Sequence, residues 1–521
     1  MTKKQESWAL AGFIGVLIIV ITLPYILAWR AGGDAYVFDG FLYNPADGNS
    51  YLAKMRQGWN GSWTFTFPYM AEPGEGAYIH LYYITIGHLS RITGLSLIFG
   101  FHFFRTLGVA ALYIALFTLC KLIFEDVRSR WTAFLLAALG SGLGWIFFPF
   151  GVVTSDVGVP EIYPFYASIS SGHFPLSMAL LISVMLLYLR EDGSLKGRAG
   201  LLAAGLAMSI VTPFGTVIAG LTLGTAWFWN IIRKTSAKNQ AINFVLFVCG
   251  SGPLMVYYYW LSKTNFAVQG WNLQNISLSS PVWDTAASLL PLLWFALPGA
   301  VIAWKSGIKS HRLLVFWMAL SLVLAYSPSA LQRRMLTGIF IPMAILAAFT
   351  FEHWFFKQRR FKRFVQVVFI ILCIMTTAMN VYIGFIAGKS LAPVLFLTSG
   401  EIEALDWMQD NLAPDSVVLT SSSMGMYVPA HSDLRVLYGH PYETSNALYW
   451  EDAVNQVFSG ELSEAEGLQF LKDNHVKYIF IGPRERDLGV INWLGGLTLI
   501  HENNSVQIFL VGDYGSENAD E

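Results

Sequence analysis

The chain has 521 residues, of which 55% are hydrophobic, 15% aromatic and only 13% charged, against the roughly 25% charged that a water-soluble domain carries, so water is not the main solvent for most of it. The 33 Lys and Arg nearly balance the 34 Asp and Glu, leaving a net charge of −1; that excludes a global field for nucleic acid, and no nucleic-acid partner is expected. Cys120, Cys249 and Cys373 sit singly in apolar runs, a scatter that gives neither a metal motif nor a disulfide framework.

In chain order, apolar runs fall at about 8–29, 97–124, 131–150, 174–189, 241–261, 284–304, 313–327, 336–356 and 364–387. A helix needs about 20 mostly apolar residues to cross a hydrocarbon core of about 30 Å, and most of these runs qualify. The apolar stretch 199–232 is too long for one upright helix and carries Thr212-Pro213-Phe214-Gly215 at its centre. It reads as two helices joined by that breaker, which brings the total to about eleven spans. The run 8–29 follows Lys3-Lys4 and ends in Trp29-Arg30 without a small-x-small cleavage site, so it reads as an uncleaved anchor.

Lys and Arg in short loops favour the cytoplasmic side. With the amino terminus inside, the inner loops hold Arg128 and Arg130; Arg190, Lys196 and Arg198; Arg233, Lys234 and Lys238; Lys305, Lys309 and Arg312; and the cluster Lys357, Arg359, Arg360, Lys362 and Arg363. The outer segments keep most of the acids of the membrane part, among them Asp34, Asp39, Asp47, Glu72, Asp156 and Glu161. The split at Pro213 keeps this bias at every loop, because a single crossing there would invert all later ones. The expected localisation is a bacterial-type plasma membrane, multi-pass, with the amino terminus cytoplasmic and the carboxyl-terminal part outside.

The first outer loop, 30–96, is long. It contains one helical stretch around Tyr51–Arg56 and another over Tyr78–Leu89, both expected as amphipathic helices on the membrane surface. From about 390 the pattern changes to alternating strands and helices: a helix around Leu405–Met408 closed by Asn411 and Pro414, a strand at Ser416–Leu419, helices at 446–459 and 463–474, and a strand at Val476–Ile481. Asn503-Asn504 marks a hairpin turn between Leu497–His501 and Val506–Val511. The fold expectation is a multi-pass α-helical membrane bundle over 1–389 and a soluble extracytoplasmic α/β domain over 390–521. Neither a GxGxxG nor a P-loop pattern occurs in the latter.

Three features carry chemistry. Asp47, in Asp47-Gly48-Asn49-Ser50-Tyr51-Leu52-Ala53-Lys54-Met55-Arg56, places a carboxylate after the first span at the start of a helix. It serves as a helix N-cap, as a base for an acceptor hydroxyl or as a ligand for a divalent ion, roles that are not exclusive. Arg333-Arg334 precede a late span from the outside, against the positive-inside trend; they are candidates for a phosphate, with snorkelling to lipid headgroups as the alternative. Asp156, Glu161 and His173 in the outer loop 151–173 are possible metal or phosphate contacts, or simply polar loop residues.

An acid after span one, a long first outer loop with two helices, an arginine pair before a late span and an outer α/β tail together resemble the GT-C superfamily of membrane glycosyltransferases. That superfamily includes the protein O-mannosyltransferases, the aminoarabinose transferases and the catalytic subunit of oligosaccharyltransferase. In layout the resemblance covers most of the chain. It is motif-specific at Asp47 with Tyr51, an acid-x-x-x-aromatic pattern, and at Gln332-Arg333-Arg334 through Ile341-Pro342. The tail, with Trp407 on a helix, Pro414-Asp415-Ser416-Val417-Val418 and Val476-Lys477-Tyr478-Ile479, is similar to the oligosaccharyltransferase outer domain. Ser421-Ser422-Ser423-Met424-Gly425-Met426-Tyr427 stands where that family has its tryptophan-rich acceptor motif, which argues against sequon recognition. Gly439-His440-Pro441-Tyr442-Glu443 is an acceptor loop or a plain turn.

The resemblance implies a sugar donor on a polyprenyl phosphate or diphosphate, with Asp47 as base or metal-holding acid, Tyr51 positioning substrate and Arg333 and Arg334 neutralising the leaving phosphate. A divalent cation, Mg or Mn, bound by Asp47 with Asp156 or Glu161 belongs to the same expectation. The expected partners are a lipid-linked sugar donor, membrane lipids and an acceptor that is a glycan, lipid or protein. The expected reaction is an inverting hexosyl or pentosyl transfer at the outer face of the cell envelope. The rival readings are a non-enzymatic lipid-linked saccharide transporter or envelope assembly scaffold, and a lipid-dependent phosphotransferase. A transporter places polar residues at the bilayer midplane, whereas these apolar runs are almost free of carboxylates, with Arg105 the notable charge.

Overall fold

The computed structural model describes residues 2–190, 193–235, 238–354 and 361–512. Lys357, Arg359 and Arg360 of the basic cluster lie outside the described residues. Helices cover the apolar runs: Lys3–Ala31, Leu97–Ile123, Val127–Leu139, Phe174–Tyr188, Leu195–Val211, Pro213–Ile232, Lys238–Thr264, Val282–Leu289 with Leu292–Lys305, Lys309–Leu324, Phe340–Trp354 and Phe361–Ala387. Among the described residues six helices are long and apolar enough to cross a membrane, and a seventh crossing is counted if the pair Val282–Leu289 and Leu292–Lys305, bent by 78°, is one span.

The chain divides into two compact units. The first takes residues up to Pro24, His102–Tyr258 and Ser277–Ile386; the second takes Tyr25–Phe101, Tyr259–Ile276 and Ala387 onward. In the first unit the helix Phe340–Trp354 is buried from Phe340 through Phe351. Other helices turn large apolar side chains outward, including Val16, Ile19, Ile114, Val245 and Val256. An exposed apolar surface of this kind is costly in water and is what a hydrocarbon solvent requires. The break at Thr212 has a local cause. A residue before proline is pushed out of the helical region, and Thr212 is extended (φ −152°, ψ 92°) while Pro213 opens the next helix.

The second unit is built around a five-stranded sheet. Its strands are β3 (Val417–Leu419), β4 (Arg435–Val436), β5 (Val476–Ile481), β6 (Thr498–Glu502) and β7 (Gln507–Leu510), in the order β4-β3-β5-β7-β6. The pairs β3/β4 and β3/β5 are parallel, whereas β5/β7 and β6/β7 are antiparallel, the last being the hairpin expected at Asn503-Asn504. Alternate residues of β3 and β5 enter opposite cores, Val418 and Phe480 on one face and Leu419 and Ile479 on the other. With both faces covered, a central strand reads as a continuous apolar run, as Val417–Leu419 and Ile479–Ile481 do. Between β4 and β5 come the helices Ala447–Ser459 and Glu464–Asp473; Ser399–Asn411 precedes β3 and is opened by a capping box of Thr398 and Glu401.

Two segments of the first loop belong to this unit. The strand β1 (Tyr36–Phe38) pairs antiparallel with β2 (Phe396–Thr398). The helix Pro45–Trp59 sends Ala53 into the same core as Val418 and Tyr478. It crosses the helix Leu81–Thr93 at two glycines. A Cβ on Gly58 would lie 2.1 Å from the Ile84 carbonyl oxygen, and one on Gly87 1.9 Å from that of Met55, so the two backbones meet where only glycine fits. Both helices expected in the loop form, but the first differs from the amphipathic reading: its buried face carries Asn49, Ser50 and Lys54. A surface helix buries apolar side chains in lipid; this one buries Leu52, Ala53 and Met55 and also these polar groups, each of which needs a partner.

Candidate functional site

The site is laid out by the first two turns of the helix Pro45–Trp59. Asn44, in the left-handed region, is its N-cap, Pro45 opens it, and Asp47 stands in the first turn. This corrects the placement of Asp47 at the cap itself: proline at the first helical position moves the cap to Asn44. A carboxylate in the first turn is favoured by the positive end of the helix. The Asp47 side chain is 47% exposed, and its Oδ1 lies 3.4 Å from Nε2 of the buried His440.

His440 comes from a tight loop after β4. Thr444 closes it: its Oγ1 accepts from the backbone N–H groups of Gly439 and His440, and its own N–H donates to the His440 carbonyl. The Tyr442 N–H donates to Nδ1 of His440 at 3.2 Å. The Nε2 atom is buried and, among the described residues, makes no hydrogen bond at its 3.4 Å distance from Asp47.

One turn further along the helix, Lys54 and Ser50 form a buried cluster with Glu443. Lys54 Nζ donates to Ser50 Oγ and to Glu443 Oε1, and Ser50 Oγ donates to Glu443 Oε1, each at 2.5 Å. All three side chains are nearly inaccessible. Burial would raise the Glu443 carboxyl, but Lys54, His440 and His80 outweigh it and hold it down at about 2. Glu443 is therefore an anion in the core and Lys54 its counter-ion. Neighbouring Asn49 donates to Asp39 Oδ2 at 2.6 Å, and Asp39 Oδ1 lies 3.4 Å from His431 Nε2. Tyr51 stacks on Tyr83 with centroids 4.3 Å apart, and Lys54 Nζ sits 5.5 Å from the Tyr51 ring centre.

The first unit holds the remaining sequence-derived candidates. Glu161, 1% exposed, takes Arg333 Nε at 3.3 Å and Arg334 Nη1 at 3.1 Å on one oxygen. Arg334 also lies over the rings of Phe174 and Phe214. The arginine pair is thus held by a buried carboxylate, which snorkelling to headgroups does not require. Arg333, one-third exposed, directs only its Nε to Glu161 among the described residues. Asp156 is buried and accepts from the Gly144 N–H at 2.9 Å and Thr154 Oγ1 at 2.6 Å. His173 precedes the helix Phe174–Tyr188, with its ring 4.1 Å from that of Phe174.

The structure brings Asp47 and Tyr51 together with Ser50 and Lys54, to which the sequence gave no role, and with His440 and Glu443 of the segment read as an acceptor loop or a plain turn. The signal for Ser50 and Lys54 was their i, i+4 spacing on one helix face. For Glu443 and His440 the loop was legible, but not its partner.

No protein-family model matches the sequence, and no curated protein does. Solved structures do match. The archaeal oligosaccharyltransferase AglB from Archaeoglobus fulgidus, in complex with an inhibitory peptide and a dolichol-phosphate, aligns with a TM-score of 0.55 at 12% identity over 92% of this chain and 70% of its own. An A. fulgidus oligosaccharyltransferase structure with Zn and sulfate aligns at 0.53 and 14% identity over 90% and 67%. ArnT from Cupriavidus metallidurans bound to undecaprenyl phosphate gives 0.51 at 13% identity over 96% and 98%. The arabinofuranosyltransferase AftD from Mycobacteria gives 0.53 at 13% identity over 95% and 40%. At such identities the likeness is one of fold alone.

Among the described residues no group of three or more His, Cys, Asp or Glu is placed to hold a metal ion. Glu161 is already neutralised by two arginines and Asp156 serves loop amide and hydroxyl groups, so these side chains do not make the cation set expected of them.

The buried pair gives a stability prediction. Glu443→Ala leaves Lys54 as a lone buried cation and should destabilise the protein by about 3–5 kcal/mol, whereas Lys54→Met with Glu443→Leu removes both charges and should recover most of the loss. Because the Glu443 carboxyl is depressed from 4.5 to about 2, its contribution is complete above the ordinary value and is lost as pH falls through about 2. Thermal unfolding of the purified protein between pH 7 and 2 measures both; equal acid sensitivity in the double variant would remove Glu443 as the cause.

Proposed function

We propose that this protein is a membrane glycosyltransferase that moves a sugar from a polyprenyl-phosphate-linked donor to an acceptor at the outer membrane face. The observation that carries the proposal is the Asp47 carboxylate, half-exposed in the first turn of a loop helix and set against the buried His440. The matched fold is one used by AglB and AftD, which are named as an oligosaccharyltransferase and an arabinofuranosyltransferase, and by ArnT, solved with undecaprenyl phosphate, and this favours transfer over a transporter or scaffold. In this reading Asp47 takes the proton of an acceptor hydroxyl as its oxygen attacks the anomeric carbon. The bond from that carbon to the phosphate oxygen breaks, and the polyprenyl phosphate leaves with the electron pair, which inverts the anomeric centre. Arg333 and Arg334 neutralise the phosphate by charge-assisted hydrogen bonds. Tyr51, stacked on Tyr83, is proposed to position substrate.

The topology belongs to the same proposal. Eleven crossings with the amino terminus inside put the segment from about 390 outside, in the bacterial-type plasma membrane or its equivalent.

Three outcomes test this reading. Asp47→Asn preserves size and helix but cannot take up a proton, so transfer from a polyprenyl-phosphate sugar in proteoliposomes should fall at least about 10²-fold with thermal stability near wild type; an almost fully active variant would remove Asp47 as the base. Arg333→Ala leaves Glu161 paired with Arg334 and should weaken donor binding roughly ten- to hundredfold with the fold intact, and unchanged donor affinity would take the phosphate role from Arg333. A cysteine at the exposed position Ala465, in a background with Cys249→Ser, should react with an impermeant thiol reagent in intact cells; reaction only after lysis would reverse the topology.

A further inference from the structure

We propose that the second unit dips into the lipid interface through an apolar patch made by the helix Phe266–Gln274 and the first turn of the helix Ala447–Ser459. The occupant is the acyl boundary of the membrane face at which the helix Lys238–Thr264 ends. This role is separate from sugar transfer and does not depend on it; it depends on that helix crossing the membrane.

The helix Lys238–Thr264 is long and apolar enough to span, and its last turns expose Tyr259 and Trp260. Lys263 Nζ lies 5.9 Å from the Tyr259 ring centre. Aromatic rings and a lysine at the end of a span mark the headgroup level. Asn265 then ends one helix and opens the next: its N–H donates to the Leu261 carbonyl, while its side chain accepts from the Val268 N–H at 3.0 Å. Its extended backbone (φ −97°, ψ 120°) breaks the helix axis. Phe266 is three residues past Lys263, a reach of at most about 10 Å, so the helix Phe266–Gln274 starts at the bilayer surface. From Thr264 to Trp283 the sequence has no Asp, Glu, Lys or Arg.

That short helix is apolar on two sides. One side is used inside the unit: Ala267 and Val268 are buried, and the Trp271 ring meets that of His80 edge to face, with centroids 5.4 Å apart. The other carries Phe266 and Leu273, seven positions apart on one face and 73% and 76% exposed, accompanied only by the uncharged Gln269 and Asn272. Gln274 joins the helix to the second element of the patch. Its Nε2 donates to the Thr444 carbonyl and its Oε1 accepts from the Ala447 N–H at 2.9 Å. The approach is close, since a Cβ on Gly270 would lie 2.7 Å from Ser445 Oγ. Leu448, 81% exposed, and Tyr449 follow directly, which sets them beside the end of the short helix. Asp452, one turn on, is exposed, and a carboxylate there limits insertion to the first turn. An exposed apolar patch next to a headgroup belt is matched by lipid rather than by water. Because Thr444 also closes the loop of His440, the anchored helix fixes the depth of that loop.

The test reads depth in the full-length protein and needs no transfer assay. Leu273→Cys, Leu448→Cys and Val256→Cys, each made with Cys249→Ser, are labelled with a nitrobenzoxadiazole fluorophore and reconstituted into phosphatidylcholine liposomes. Nitroxide-bearing lipid and aqueous iodide then serve as opposed quenchers. The labels at Leu273 and Leu448 should be quenched by the lipid, at depths of about 5–10 Å below the headgroups, and shielded from iodide. The label at Val256, exposed within the span, should lie deeper, and one at Ala465, exposed on a polar helix, should answer to iodide alone. Labels at Leu273 and Leu448 quenched by iodide and not by lipid, while Val256 is quenched by lipid, would overturn the proposal. Shielding from both quenchers would mean that protein covers the patch, a second copy included, and would overturn it equally. A label at Val256 that lipid does not quench would remove the span and the anchor with it. The cysteines replace exposed side chains, so the packing is left alone; should Leu273→Cys fail to fold, Phe266→Cys carries the same outcomes.

Discussion

The second unit depends on one buried charge pair. Lys54 and Glu443 meet with Ser50 in the core, and neither ion has water to fall back on. An isolated ammonium or carboxylate in such a place costs several kcal/mol, so each makes the other's burial possible. An apolar pair of the same volume would serve stability as well. What the ions add is a fixed tie between the loop after β4 and the helix Pro45–Trp59, with Glu443 set on Lys54. Parts of the chain nearly 400 positions apart are joined in this way, and His440 and Asp47 come face to face as a consequence.

A second carboxylate organises the first unit by the same rule. Glu161 is buried and holds both Arg333 and Arg334. Both guanidinium groups converge on one oxygen of this carboxylate. Around it the helices present apolar side chains outward, and their long runs with few charges fit a lipid solvent. The pair Glu6 and Arg130, buried against each other, shows the cost of a charge in such surroundings being met in the same manner.

Most of the helices were legible because lipid imposes a coarse pattern, long apolar runs ended by charges, that needs no knowledge of partners. The break at Thr212-Pro213 was legible for a local reason, the proline. The strand at Val417–Leu419 announced itself as a continuous apolar run, and that at Val476–Ile481 as one interrupted only by Lys477. By contrast, β4 is two residues long and β1 three, too short for any periodicity, and both exist only because a distant strand pairs with them. The candidate site was half legible. Asp47 and Tyr51 stood out by their place after the first span, but the burial of Lys54 could not be read, since a lysine on a loop helix looks solvated until its carboxylate, hundreds of positions away, is known. The capping role given to Asp47 failed by a few residues because Pro45 fixes where the helix begins.

The proposed chemistry is sugar transfer, with Asp47 taking the proton. The most direct measurement is to give the purified full-length protein, in liposomes with envelope extract as acceptor source, a panel of radiolabelled polyprenyl-phosphate sugars, and to separate lipid from product. One donor should lose its label to a new acceptor with release of the polyprenyl phosphate. Recovery of every donor with its sugar still attached, including any carried intact across the bilayer, would contradict it.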